Sequence, residues 1–260
     1  MRFSLQQLTS AVSTLSFTFL QSAQPVLAHY QFPIFIVNGT RSAWWQYIRP
    51  TGLDSYGYHF DPIREFFSEP QVCGIGATKT GHQVETAVVE AGSQIGFQVI
   101  GQSGGSGFET PRPADPQNAD FLYHMGPGQL YLSKAPGALE DYEGDGEWFK
   151  VGMIGSSDGR GWDTYMKSEM NFTIPAITPP GKYLARVEHF FIQSIYNTTQ
   201  QYINCAHIEI IGPGGGTPGP TVKFPGAYSL DEPGVWLPAA LSVDEMKNFP
   251  GAGPPVWHSA

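Results

Sequence analysis

Short hydrophobic segments separated by turn-forming residues run through most of the chain. Each segment is rich in β-branched or aromatic residues and is bounded by Gly, Pro, Asn or Asp, which is typical of strands. The 260 residues include 31 Gly and 22 Pro, and no long stretch shows a helical period. The predicted strands are Phe32–Val37, Val84–Val89, Ile95–Val99, Gln129–Ser133, Trp148–Met153, Glu169–Ile174, Lys182–Phe191 and Ile203–Ile211.

This pattern predicts an all-β protein in which two antiparallel sheets bury their facing sides. We expect a β-sandwich of the immunoglobulin or fibronectin type III kind, with long loops. The stretch between Gly39 and Val72 is poor in strand signals, and long loops on a sandwich commonly carry function. Only Ser242–Asn248 is compatible with a turn of helix.

The first 28 residues are typical of a secretory signal peptide. Arg2 supplies the positive start, the stretch from Leu15 to Leu20 is apolar but too short to cross a bilayer, and Val26 and Ala28 are small residues at the −3 and −1 positions of a cleavage site. Cleavage would leave 232 residues that begin at His29. We therefore expect a secreted, extracellular protein; an ordinary amino-terminal helix is the alternative.

Residues 29–260 are predicted to form a single domain. No internal repeat and no Ser/Thr-rich linker to a second module, such as a carbohydrate-binding module, is present in the sequence. The Gly- and Pro-rich stretch Gly212–Pro220 resembles a linker, but the segment after it is too short to fold alone. We expect this carboxy-terminal tail to wrap back on the sandwich.

Two cysteines, Cys73 and Cys205, are the only ones in the chain. In a secreted protein an even pair favours a disulfide, which here would close a long loop and stabilise the fold by about 4 kcal/mol. A zinc site built on both thiolates is a weaker alternative. Three N-x-S/T motifs, at Asn38, Asn171 and Asn197, are candidate glycosylation sites of the kind found in secreted proteins.

The balance of charge excludes several classes of partner. The formal net charge is −9, so the chain has no basic surface for nucleic acid and fits poorly against anionic lipid. No other segment is apolar enough to cross a membrane. A neutral partner is favoured.

Removal of the first 28 residues would give His29 a free amine beside its imidazole. The pKa of a terminal amine, about 7.7–8.0, makes loss of its proton to a metal inexpensive. One further imidazole would complete a planar set of three nitrogens, which favours copper over zinc. For His29 alone, an arbitrary first residue without function is the plain alternative.

The second imidazole must come from another histidine of the chain. His124 is the favoured candidate, because it lies just before a predicted strand, where a sandwich presents ligands. A surface or core role is the ordinary interpretation of any single histidine. The other candidates are His59, His82, His189, His207 and His258.

Several ordered motifs carry a family resemblance that extends from His29 to about Leu237. They are HYQFPIFIVNG from His29, YHMGPGQLYLSKAPG around His124, GKYLARVEHF, QQYINCAHIEI and FPGAYSLDEPGVWL. With these motifs the chain resembles the fungal lytic polysaccharide monooxygenases of auxiliary-activity family 9, formerly classed as glycoside hydrolase family 61.

The resemblance implies a site for one copper ion. It implies that His29 supplies the amine and one imidazole, that His124 supplies the second imidazole, and that Tyr202 lies axial to the metal. Gln200 matches a glutamine outside the ligand set that hydrogen-bonds the oxygen species. Without the motif, Tyr202 would be interpreted as a core aromatic residue. Two further implications are that Cys73 and Cys205 form the family disulfide and that the His29 side chain is methylated.

The implied reaction is an oxidation of polysaccharide. An external electron donor, such as a secreted dehydrogenase, and O₂ or H₂O₂ as co-substrate would support hydroxylation at C1 or C4 of a β-1,4-linked glucan, after which the glycosidic bond breaks by elimination. Cellulose or a related hemicellulose is the expected substrate, and a monomer the expected state. Aromatic residues that could stack on sugar rings are Trp44, Trp45, Tyr56 and Tyr58, although buried packing is at least as plausible for each.

One position departs from the family pattern. The segment after Arg186 commonly ends in a histidine that faces the oxygen-binding side of copper, and here that position is Gln193. A glutamine donates hydrogen bonds but does not relay protons near neutral pH. The alternative function is therefore a copper-binding protein with weak or no polysaccharide oxidation.

Two further classes of function are considered. A hydrolase would need two carboxylates across one cleft, whereas the acidic residues of the chain cluster in one Gly-containing loop and are expected to be solvated. A carbohydrate-binding module without redox chemistry would not bind copper stoichiometrically. The acidic cluster comprises Glu140, Asp141, Glu143, Asp145 and Glu147.

Overall fold

A computed structural model describes residues 29–54, 57–101, 108–109 and 120–258. The predicted signal peptide, residues 1–28, lies outside the described residues, as does Tyr56. The described strands are β1 (Tyr30–Val37), β2 (Thr40–Arg41), β3 (Leu53–Asp54), β4 (Gly57–His59), β5 (Ala87–Glu90), β6 (Gln94–Gly101), β7 (Phe108–Glu109), β8 (Gly128–Lys134), β9 (Trp148–Ile154), β10 (Glu169–Thr173), β11 (Gly181–Phe191), β12 (Gln200–Ile211) and β13 (Thr221–Val222).

Two of the sheets form a β-sandwich, as the strand pattern predicts. The front sheet has the order β10-β6-β1-β2, and the back sheet has the order β13-β9-β8-β11-β12-β5. A small third sheet has the order β3-β4-β7. Within the described strands the pairing is antiparallel, except that β5 runs parallel to β12. The antiparallel β-sandwich is therefore confirmed, with one parallel pair at the edge of the back sheet.

Strand bounds differ from the predictions mainly at the ends. The predicted strand Val84–Val89 begins only at Ala87, because a 3-10 turn occupies Gly81–Gln83 before it. The last long strand begins at Gln200 rather than Ile203. Pairing with β11 extends it, since Phe191 lies opposite Gln200.

Short helices and a hairpin complete the fold. Helix α1 (Pro70–Cys73) was not predicted, whereas α2 (Val243–Lys247) lies within the expected helical turn. Ser242 is the N-cap of α2 and forms a capping box with Glu245. Further 3-10 turns occupy residues 77–79 and 139–141. Asn38 and Gly39, both with positive φ, form the two-residue turn between β1 and β2. No described helix is long and apolar enough to cross a bilayer.

The main core lies between the two large sheets. Strand β1 is buried along nearly its whole length, which explains its continuous apolar sequence. Side chains on the inner face of β11, such as Val187, pack against the front sheet together with β12 residues such as Tyr202. This burial stabilises the sandwich through removal of apolar surface from water.

A second core covers the outer face of the back sheet. It includes Trp148, Leu184 and Phe190 from the strands, and Phe224 and Tyr228 from the segment after β13. The carboxy-terminal tail packs here as well. Its tie points are at Ala252, whose carbonyl accepts from Lys150 Nζ at 2.6 Å and from Tyr131 Oη at 3.0 Å.

The long stretch after β2 runs along the edge of β12. Ile48 forms a bridge to Ala206, and Ile63 forms a bridge to Gln201 with both backbone hydrogen bonds at 2.9 Å. A disulfide between Cys73 and Cys205 ties α1 to the same strand. Backbone pairing at these two points and the disulfide therefore hold the strand-poor sequence on the back sheet.

Candidate metal centre

Three elements that are distant in sequence meet at one end of the sandwich. His29 directly precedes β1, His124 lies in the loop before β8, and Tyr202 lies at the start of β12. The ring centroid of Tyr202 is 6.4 Å from that of His29 and 5.6 Å from that of His124. The structure thus brings together the three residues that the sequence singles out as metal ligands.

Tyr30 packs beneath these three residues. Its ring stacks on Tyr202 with centroids 4.0 Å apart and lies 5.9 Å from the ring of His124. Alternation along β1 directs Tyr30 into the core, where its side chain is 1% exposed. The residue after the proposed first ligand therefore supports the other two.

His124 is held in a partly buried position, and one of its ring nitrogens has no hydrogen-bond partner among the described residues. Its ring stacks on Phe191 with centroids 4.2 Å apart and an interplanar angle of 11°. Its Nε2 atom is buried and has no hydrogen-bond partner among the described residues. Burial, with smaller contributions from His29 and Arg64, lowers the pKa of His124 to about 4. The ring is therefore neutral at neutral pH, the form that binds metals.

His29 is partly exposed at the site. Its Nδ1 lies 3.3 Å from a carboxylate oxygen of Asp61, and its side chain is 30% exposed. Asp61 is mostly exposed and lies just before Ile63, the residue that pairs with β12. The edge segment thus carries a carboxylate to the rim of the site.

Tyr202 and Gln200 are joined by a hydrogen bond. The Tyr202 hydroxyl donates to Gln200 Oε1 at 2.7 Å. Burial raises the pKa of Tyr202 well above its ordinary value, so the phenol keeps its proton. Gln200 and Tyr202 are two residues apart on one strand and therefore share a face.

The residues at this site fit a copper ion held by a terminal amine and two imidazoles, rather than a metal held only by side chains. A buried imidazole nitrogen without a partner is costly unless a ligand satisfies it, and His124 Nε2 is such an atom. In the part of the chain that the structure describes, no group of three or more His, Cys, Asp or Glu side chains could hold a metal. A site of two imidazoles and a terminal amine needs no such group, and nitrogen ligands suit copper.

Gln193 lies two residues beyond the end of β11. Its backbone N–H donates to Thr199 Oγ1 at 2.9 Å, and its carbonyl accepts from Leu237 N–H at 3.2 Å. It follows Phe191, the residue that stacks on His124. The departure from the family pattern is therefore on a segment that adjoins the site.

His189 is a neighbour of the site that the sequence did not single out. Its ring is fully buried and lies 5.7 Å from the ring of Tyr30. Burial, with a smaller contribution from His124, lowers the pKa of His189 to about 3, so this ring is neutral. In sequence, alternation along β11 predicts only that it faces inward.

Two of the four residues considered for sugar stacking lie in the main core. Trp44 and Trp45 are buried, so for both the structure favours core packing, the stated alternative to sugar stacking. Tyr56 lies outside the described residues, and Tyr58 belongs to β4. Exposed apolar side chains instead lie next to His124 in the sequence and in a nearby turn. The backbone of this turn is hydrogen-bonded to Leu122, in the same loop as His124. They are Phe121, Tyr123, Met125, Tyr165 and Met166.

The other candidate residues lie away from the ligand set. Asn38 and Asn197 are exposed in turns, whereas Asn171 is partly buried in β10 and donates to Glu169 Oε1 at 2.8 Å. The acidic cluster is exposed, and three of its members pair with basic side chains: Glu143 with Lys79, Asp141 with His82, and Glu147 with Lys223. The solvated interpretation of these acids agrees with their exposure.

The sequence model of Auxiliary Activity family 9 (formerly GH61) matches residues 29–248. The chain belongs to this family. Members of auxiliary-activity family 9 are copper-dependent oxidoreductases that act on polysaccharides, and those of fungi are secreted. The chain is therefore a copper-dependent polysaccharide monooxygenase, and the match begins at His29.

Relatives of known family show the same similarity over most of their length. The chain is 38% identical to AA9 family lytic polysaccharide monooxygenase U of Thermothielavioides terrestris, over 88% of this chain and 92% of that protein. It is 35% identical to AA9 family lytic polysaccharide monooxygenase C of Emericella nidulans, over 94% and 98% respectively.

Solved structures of family 9 enzymes share the β-sandwich. HiLPMO9B superposes with a TM-score of 0.65 at 22% identity, covering 89% of this chain and 100% of that one. A cellulose-active polysaccharide monooxygenase from M. thermophila superposes with a TM-score of 0.63 at 21% identity, covering 88% and 99%. At this identity the likeness concerns the fold.

Proposed function

We propose that the mature enzyme begins at His29 and that one copper ion would be held by the amine and imidazole of His29 and the imidazole of His124, with Tyr202 as a further ligand. The observation that carries this proposal is the buried, unpartnered Nε2 of His124 beside His29 and Tyr202 among the described residues. Secretion with removal of residues 1–28 is part of the proposal, since only cleavage frees the amine.

The proposed reaction is oxidative cleavage of a β-1,4-linked glucan, cellulose or a related hemicellulose, at C1 or C4. Copper, when bound, supplies one-electron chemistry between an external electron donor and O₂ or H₂O₂. A secreted dehydrogenase is a suitable donor. The single domain is proposed to act as a monomer.

The chain's own residues position and protect this chemistry. Tyr202 stays protonated in its buried site, and its hydroxyl donates a hydrogen bond to Gln200 Oε1. The Gln200 amide nitrogen is then the end of that side chain that donates to an oxygen ligand. Methylation of His29 is proposed with the site.

Surface chemistry supports a neutral polysaccharide as substrate. The net charge of −9 disfavours polyanions, and the exposed side chains of Tyr123 and Met125 flank His124. Apolar faces of sugar rings pack well on such residues. One structural relative carries the description cellulose-active, which favours cellulose for this chain as well.

A copper-binding protein with weak polysaccharide oxidation is the second candidate. Gln193 favours it, because a glutamine lacks the proton-relay chemistry of histidine. Replacing groups that hydrogen-bond around a metal site changes affinity or activity by about 10–100-fold. Gln193→His is accordingly expected to raise the rate of reductant-driven H₂O₂ consumption.

The test begins with the amino terminus of the secreted protein, which is expected to be His29. Copper-loaded enzyme is then incubated with several glucans, with and without ascorbate, and products are identified by mass spectrometry. Aldonic acids are expected from C1 oxidation and ketoaldoses from C4 oxidation. His124→Ala should abolish both, and Gln193→His should increase their yield.

Three results would contradict the proposal. A different first residue would remove the amine ligand. Products formed without reductant would indicate hydrolysis. Absence of oxidised products from the wild type on every glucan, with stoichiometric copper binding retained, would favour the second candidate.

A further inference from the structure

The buried ring of His189 contacts two elements that carry the proposed copper ligands. Its Nδ1 atom is 2.5 Å from the hydroxyl oxygen of Tyr30, and its Nε2 atom is 3.2 Å from the carbonyl oxygen of Gly126. Tyr30 directly follows His29, and Gly126 is two residues beyond His124. His189 itself lies opposite Tyr202 in the pairing of β11 with β12.

The roles of the two ring nitrogens follow from their partners. A carbonyl oxygen only accepts, so Nε2 must carry the proton and donate to Gly126. Nδ1 of the neutral ring then has a lone pair and accepts from the Tyr30 hydroxyl. Because the two bonds leave opposite sides of one rigid ring, they set the distance between the start of β1 and the His124 loop.

Gly126 cannot move easily away from this contact. A Cβ atom there would lie 1.8 Å from the Phe190 carbonyl oxygen, so the loop backbone rests directly on β11. The Gly126 carbonyl also accepts from the Thr164 hydroxyl at 2.5 Å. The His124 loop is therefore fixed from below by buried polar groups.

We propose that His189 is a positioning residue whose ring links Tyr30 to Gly126 and so sets the spacing of His29 and His124. It is not a ligand itself. The inference rests on the proposed function for the identity of the metal, but its mechanical content concerns the metal-free protein. Loss of the link should leave both ligands present and misplaced.

Three variants and a control test the link. His189→Leu removes both hydrogen bonds, His189→Gln keeps one donor and one acceptor, and Tyr30→Phe removes one bond while keeping the stack on Tyr202. The control is Tyr183→Phe, which removes a hydroxyl that donates to the Pro179 carbonyl at 2.8 Å in the main core.

Two measurements on the wild type and variants are made, one with copper and one without. With Cu(II), His189→Leu is expected to weaken binding about 10–100-fold in competition with a chelator, and to shift the electron paramagnetic resonance parameters. His189→Gln should recover most of both, Tyr30→Phe should be intermediate, and Tyr183→Phe should match the wild type.

The metal-free measurement uses ¹⁵N-labelled histidine. Nuclear magnetic resonance should show the Nε2–H tautomer at His189, and His189→Leu should shift the ring signals of His29 and His124, whereas Tyr183→Phe should not. An Nδ1–H tautomer, or unchanged signals in His189→Leu, would overturn the link. Failure of the wild type to bind one copper ion would overturn the proposed function instead, while the metal-free spectra still decide the link.

Discussion

A buried ion pair on the outer face of β11 offers a sharp test of how this fold is stabilised. Glu188 and Arg186 are fully buried, and Arg186 Nη1 donates to Glu188 Oε2 at 2.6 Å. Gln129 Nε2 donates to Glu188 Oε1 at 2.6 Å, and the Tyr228 hydroxyl donates to the same oxygen. We predict that Glu188→Gln destabilises the protein strongly although it keeps the side-chain shape.

The expected loss follows from counting donors. Three donors converge on Glu188, but a glutamine presents one oxygen and one NH₂ group, so at least one donor must face another donor. Arg186 would also keep its charge without a counter-charge. Breaking a buried pair in this way costs about 3–5 kcal/mol.

The assay is guanidinium denaturation, with the slope of unfolding free energy against denaturant checked for each variant. Glu143→Gln is the matched control, because Glu143 and its partner Lys79 are both more than half exposed, and such a pair contributes about 0–1 kcal/mol. Arg186→Met with Glu188→Leu should recover at least half of the loss. A loss below about 1 kcal/mol for Glu188→Gln, at an unchanged slope, would refute the reasoning.

Two other predictions concern stability. Burial lowers the pKa of Lys150 to about 8. Between pH 8 and the ordinary lysine pKa of about 10.4, the unfolded state therefore binds more protons than the native state, and the free energy of unfolding rises with pH by about 3 kcal/mol at most. Lys150→Met should remove this rise in denaturation curves taken from pH 7.5 to 9.5, and an identical rise in both proteins would contradict the prediction. Cys73→Ala with Cys205→Ala opens a cross-link spanning 132 residues and should lower the free energy of unfolding by up to about 5 kcal/mol, whereas no change relative to the oxidised wild type would exclude stabilisation by the bridge.

Periodicity and turn residues were sufficient to predict the sandwich, because long strands such as β11 and β12 are rich in β-branched or aromatic residues between clear breaks. The pattern could not predict that β5 pairs in parallel, since the direction of pairing depends on the path of the chain around it. Short strands such as β2 and β13, two residues each, carry too little periodic signal to be found.

The candidate site shows a similar division. The motifs around His29, His124 and Tyr202 indicated residues that the fold does bring together. The contact between Tyr30 and His189 was not predicted, although His189 was among the candidate histidines, because a buried polar contact between distant segments leaves no local pattern. For Trp44 the sequence left stacking and core packing open, and it is buried, since an aromatic residue in a long loop packs into the core when the loop follows a sheet edge.

The segment that runs along β12 has a consequence for the enzyme outside the cell. Backbone pairing at Ile48 and Ile63 satisfies amide and carbonyl groups that a bare rim would offer to a second molecule. The covered part of the β12 edge therefore offers no free backbone groups to which a strand of a second molecule could be added. Many copies can then crowd on a polymer surface without aggregating through this edge.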